Sequence, residues 1–229
     1  MRSEEERKKH DEEVHARELL EEEFHLGHKK KKNPLTIIGA LFLIFIILVM
    51  SVPLSNLRHF ENPKNIPSLQ EIQPMLPDVI ENPTTRNLYD YVTPADPVVK
   101  QVSNKIVAES CSHSDTCYAK ALYYFVRNNI QYISDPKIEY FETPAETLKT
   151  GGADCDGQAI LLLNLLQSVG IYAEFQKMPG HIYVKAVIPE APRIYKKNGW
   201  IYMDPTCKNC DFGKIPQGNM KYLENPAYN

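Results

Sequence analysis

Apolar and polar positions divide this chain into four stretches of different pattern. Residues 1–33 are mostly charged. There Glu4 and Lys8, Glu5 and Lys9, and Glu13 and Arg17 stand four apart, the spacing of a solvated helix. Leu19, Leu20, Phe24 and Leu26 are too few to build a packed face. Leu35–Val52 then runs for eighteen residues with only Thr36 and Ser51 polar, close to the reach of a bilayer core at about 1.5 Å per residue. A single transmembrane helix is expected within residues 34–53. Lys29, Lys30, Lys31 and Lys32 abut its start, so the positive-inside rule puts the N-terminus in the cytoplasm and everything after the helix outside. A cleaved signal peptide fits less well, because the preceding region is long and acidic. Residues 54–97 carry Pro63, Pro67, Pro74, Pro77, Pro83, Pro94 and Pro97, which break helices and favour an extended spacer. Val79, Ile80, Leu88, Tyr89, Tyr91 and Val92 make parts of that spacer apolar enough to wrap onto the domain that follows.

From residue 98 to 229 the pattern is globular and changes period once. Helices are expected over 98–108 and 115–130, the second carrying Leu122, Phe125, Val126 and Ile130 at helical spacing. Thr143-Pro144-Ala145-Glu146 is a compact helix start with threonine as cap, and its helix should reach about Lys149. The stretch from Cys155 to Val169 is apolar around most of a helix circumference, so it reads as an interior helix. Asp154 caps its start and Gly170 ends it. After Gly170 the period becomes twofold, giving strands over 171–178, 181–188 and 200–204, with a turn at Lys196-Lys197-Asn198-Gly199. Helices followed by an antiparallel sheet make an α+β domain.

This arrangement places three reactive groups. Cys155 sits in the first turn of the buried helix, where the positive end of the macrodipole favours thiolate over the free thiol. His181 opens a strand after Pro179-Gly180, and Asp204 closes the neighbouring strand before Pro205. Pairing Ile188 with Gly199 sets His181 opposite Thr206, and a single bulge sets it opposite Asp204. A cysteine nucleophile needs an imidazole in reach, itself oriented by a carboxylate or amide. Taken singly, each has a plainer explanation: Cys155 as a small core residue, His181 as a strand-end residue, Asp204 as a turn former. Their combination is less readily accidental.

Composition narrows the partners. The net charge of −3 is spread over mixed acidic and basic residues with no basic patch, which argues against nucleic acid. No cofactor or metal ligand set is assigned. On the outer side of a membrane, Cys111, Cys117, Cys207 and Cys210 are expected to pair as disulfides and leave Cys155 free, with their partition unread. A four-thiolate metal site is less expected, since the gap between Cys111 and Cys117 is wider than usual. Asn82-Pro83-Thr84 has proline at its centre and is no glycan acceptor.

Residues of about 115–206 resemble the core of transglutaminase-like proteins. The resemblance rests on Tyr124-Phe125-Val126 through Ile130-Gln131-Tyr132, Pro144-Ala145-Glu146-Thr147-Leu148, Gly151-Gly152-Ala153-Asp154-Cys155-Asp156-Gly157-Gln158, Gly180-His181, and Gly199-Trp200-Ile201-Tyr202-Met203-Asp204-Pro205-Thr206. It implies a papain-like α+β core in which Cys155 is the nucleophile, His181 the general base and then acid, and Asp204 the orienting carboxylate. Ala153 lengthens the usual glycine-to-aspartate approach. The backbone N–H of Cys155 is the first candidate for the oxyanion donor, with Tyr132 and Gln158 as side-chain candidates. The expectation is a membrane-anchored extracytoplasmic cysteine enzyme that opens amide bonds through a thioester, as a peptidase, amidase or acyltransferase on a protein or peptide substrate. Two alternatives keep the fold without the chemistry: an inactive module binding a peptide or cell-envelope component, and a disulfide-stapled scaffold in which Cys155 is sealed.

Overall fold

The computed structural model describes residues 10, 12–21, 34–51, 61–135 and 138–223. The chain divides into two units, Met1–His59 and Phe60–Asn229. In the first, residues 12–21 are helical and exposed, and much of the expected charged tail lies outside the described residues. Helix α1, Pro34–Ser51, has eighteen residues, about 27 Å of rise against a hydrocarbon core of about 30 Å. Among the described residues no helix is long and apolar enough to cross a membrane. Leu41, Phe42, Leu43, Ile44, Phe45, Ile46, Ile47 and Leu48 are nonetheless all exposed, and eight consecutive residues cover every face of a helix.

The second unit begins with the proline-rich segment, which is neither free nor wholly extended. It holds helix α2, Leu69–Ile72, and a short 3-10 turn at Leu88–Tyr91, and it buries Ile72, Leu88 and Tyr91 in the core. Val79 and Tyr89, expected to wrap inward, stay exposed. Side-chain amides fasten this segment. Asn164 accepts the N–H of Thr93 and donates to the carbonyl of Tyr91, and Asn82 donates to Tyr140, Phe141 and Glu146. Asn82 thus has a structural use that its glycan-like triplet concealed.

Helix α3, Pro97–Ser110, starts at Asp96, whose carboxylate accepts the N–H groups of Val98 and Val99. Helix α4, Asp115–Asn129, is capped by Ser114. The Cys111–Cys117 disulfide closes the link between them. Strand β1, Gln131–Tyr132, pairs in parallel with β2, Gly152–Ala153, a two-residue ladder too short to leave a period in the sequence. Between them lies helix α5, Pro144–Thr150, with the expected capping box of Thr143 and Glu146; it ends at Gly151 in the left-handed region, at φ 72°.

Helix α6, Cys155–Ser168, is the centre of the unit. It packs against α3, α4 and α5 and also against the sheet, so it has no solvent face from Asp156 to Leu166. Ile160, Leu161, Leu162, Leu165 and Leu166 are fully buried, each worth about 1.5–3 kcal/mol of transfer free energy. The sheet is antiparallel in the order β3 (Tyr172–Met178), β4 (His181–Val187), β5 (Ile201–Met203). Ala186 faces Ile201 and Val184 faces Met203, the register that pairing Ile188 with Gly199 requires. Asn198 and Gly199 both take positive φ, making a tight turn that closes on itself between Lys197 and Trp200. A short helix α7, Gln217–Met220, follows near the described C-terminal end.

Candidate active site

The site forms where the start of α6 meets one end of the sheet. Asp154 accepts the N–H of Asp156 at 3.0 Å and of Gly157 at 3.4 Å, fixing the first turn and leaving Cys155 as the first helical residue. Cys155 is the free cysteine and is half-buried, not sealed. The β3–β4 connection is only Pro179-Gly180, with Gly180 at φ 68°, so His181 pairs with Met178 and stands at the tip of the hairpin.

Asp204 follows β5 directly and is 1% exposed. Its Oδ1 accepts the Thr206 hydroxyl at 2.7 Å and the Thr206 N–H at 3.1 Å, which leaves Oδ2 to face His181 Nε2 at 2.9 Å. The β4–β5 ladder has no bulge here. With His181 opposite residue 206 by register, the contact is a diagonal across the pair, within reach of side chains this long. The loop after Asp204 is held by the Cys207–Cys210 disulfide and by Tyr123, whose hydroxyl donates to the carbonyl of Cys210 at 2.9 Å.

Because Nε2 is turned toward Asp204, Nδ1 is the ring atom left to act on Cys155, which lies close enough to influence the pKa of His181. Burial alone would lower the pKa of His181, but hydrogen bonds and charge from Asp204 and Cys155 outweigh it and push it up to about 10. An imidazole so placed holds a proton taken from the sulfur and can return it to a leaving group.

Cys155 and His181 border a groove of about 560 Å³, lined also by Tyr89, Tyr132, Phe141, Met178, Lys177 and Glu139. Of the two side-chain oxyanion candidates, Gln158 is excluded, because it is fully buried and its amide donates to the carbonyls of Ala153 and Gln131. Tyr132 lines the groove, and burial and the nearby Cys155 raise its pKa. The backbone N–H of Cys155, at a helix start, has no intrahelical partner to satisfy it.

Sequence reasoning missed four residues near this site. Thr206 and Tyr123 fix the Asp204 loop. Glu142 is pushed up to about 7, first by burial and then by Asp154, and Asp156 is raised by burial and by its hydrogen bonds to Asp154 and Glu139. Nothing in periodicity marks a loop glutamate for burial beside a helix start. A Cβ on Gly157 would meet the Glu142 carboxylate and lie 2.7 Å from the Cβ of Ala153. Gly157→Ala is therefore expected to lower stability by about 1–2 kcal/mol, the overpacking cost less the gain in helix propensity, read as an earlier urea midpoint.

Residues 100–205 match the family model described as Transglutaminase-like superfamily. UPF0252 protein PH1321 of Pyrococcus horikoshii is 29% identical over 191 residues, covering 82% of this chain. The chain spans about half, 53%, of that relative's length. A crystal structure from Cytophaga hutchinsonii, described provisionally as a cysteine protease, superposes with a TM-score of 0.38 at 16% identity, over 60% of this chain and 47% of that one.

Proposed function

We propose that this protein is a cysteine enzyme acting on amide or ester carbonyls, with Cys155 as nucleophile, His181 as base and then acid, and Asp204 as the group that orients the ring. The observation that carries the reading is the 2.9 Å contact between the buried Asp204 carboxylate and Nε2 of a ring that lines one groove together with the half-buried sulfur of Cys155. The ring already carries the proton, so the sulfur attacks the carbonyl carbon and collapse of the tetrahedral intermediate gives a thioester while that proton goes to the departing amine. Water or a second amine then adds to the thioester, its proton moves to the ring, and the thiol is released. The chain is also proposed to sit in a membrane, with the domain outside. Support comes from the eight consecutive exposed apolar side chains of α1, which suit hydrocarbon better than water, and from the lysine run before it.

The test is a rapid-mixing assay of the full chain with p-nitrophenyl acetate at pH 7, with and without a primary amine. A nitrophenolate burst equivalent to the enzyme, absent in Cys155→Ala, is expected. Faster turnover with amine assigns acyl transfer, and unchanged turnover assigns hydrolysis. No burst above that of Cys155→Ala contradicts the enzymatic reading.

A further inference from the structure

One group of side chains beside the site takes no part in the relay. Glu142, Asp154 and Asp156 each offer a carboxylate oxygen, and these oxygens all lie within 4.8 Å of one another. Two ligands held at about 2.3–2.6 Å by one calcium ion stand at most about 5 Å apart, so these oxygens are close enough to share one. Asp156 is 4% exposed, yet its Oδ1 has no hydrogen-bond partner, and neither has Oε2 of Glu142. Gly157 leaves room for the Glu142 carboxylate at this helix start, since a Cβ there would strike it.

No basic side chain among the described residues meets the cluster either. Among the described residues the ion pairs are Lys105–Glu109, His181–Asp204 and Lys185–Glu174, and none reaches this cluster. A helix start supplies only about half a positive charge, and Asp154 already uses it. Buried carboxylates without partners ordinarily coordinate a metal or give up their charge.

We infer that Glu142, Asp154 and Asp156 form a binding site for a divalent cation of the calcium type, completed by water from the groove. Such an ion ties the loop carrying Glu142 to the first turn of α6 and so fixes the wall of the groove on both sides of Cys155 in sequence. The sequence alone had assigned no metal. This site stands independently of the enzymatic reading.

Binding of calcium chloride to the full chain, measured by isothermal titration calorimetry in the Cys155→Ala background, separates the two. The expected result is saturable uptake of one equivalent, with a dissociation constant on the order of 10⁻⁴–10⁻³ M, as for extracellular calcium modules. Glu142→Gln and Asp156→Asn should each weaken it by at least about 10-fold, about 1.4 kcal/mol. Should Asp156→Asn fail to fold, Glu142→Gln alone decides. Absence of saturable uptake, or uptake by Glu142→Gln equal to that of its parent, overturns the inference.

Discussion

Replacing His181 by alanine is expected to slow acylation of Cys155 on the order of 10³-fold at pH 7, within the range of about 10²–10⁴ that a positioned general base contributes. The ring meets a buried carboxylate at 2.9 Å and shares the groove with the sulfur, so its loss removes the proton carrier of the site. Asp204→Asn should keep the ring's position, since an amide oxygen can still meet Nε2, but it removes the charge that favours the imidazolium. In a hydrolase built on the same logic that change costs about 10⁴. The relay acts as a unit, so the double variant His181→Ala/Asp204→Asn should be no slower than the worse single one. Rates multiplying in the double variant would mean that Asp204 works through some other path. Far-ultraviolet circular dichroism on each variant separates lost chemistry from lost fold.

The second large effect is on stability against pH. His181 keeps its proton up to about pH 10 in the folded protein, against about 6.5 for an unperturbed histidine. A raised pKa stabilises the fold fully below the unfolded value, and that contribution disappears as pH climbs through the folded value. The folded protein should therefore lose stability between about pH 6.5 and 10, by a few kcal/mol, since each tenfold gain in proton affinity corresponds to about 1.4 kcal/mol. The side chain is 21% exposed, so solvent screening trims that figure without reversing its sign. Urea midpoints measured across this window should fall more steeply in the parent than in Asp204→Asn, in which the raised carboxyl of Asp156 still titrates. A rise with pH in the parent would contradict the assigned protonation.

Much of this arrangement was legible before any coordinates, and the reasons are particular. The start of α6 could be read because its cap, its apolar girth and its closing glycine all speak for one element. The β4–β5 register could be read because the turn signal at Asn198 and Gly199 marks where the returning strand begins, which sets Gly199 against Ile188. What escaped was long-range and polar. Nothing local shows that Thr206 fills one oxygen of Asp204 and so turns the other toward His181, or that a bulge is unnecessary because the contact runs diagonally. Asn82 and Asn164 fasten the proline-rich segment through single amides, which leave no period behind. Gln158 carried the chemistry of an oxyanion donor, but its place on the buried side of α6 gives its amide to two carbonyls instead.

The most direct test of the central claim is the intact mass of the full chain after brief exposure to an activated acyl ester at pH 7, followed by peptide mapping. One acyl group on Cys155, formed at least about 100-fold more slowly in His181→Ala, is the predicted result. Acylation that spares Cys155, or that proceeds equally well without the His181 ring, would contradict it.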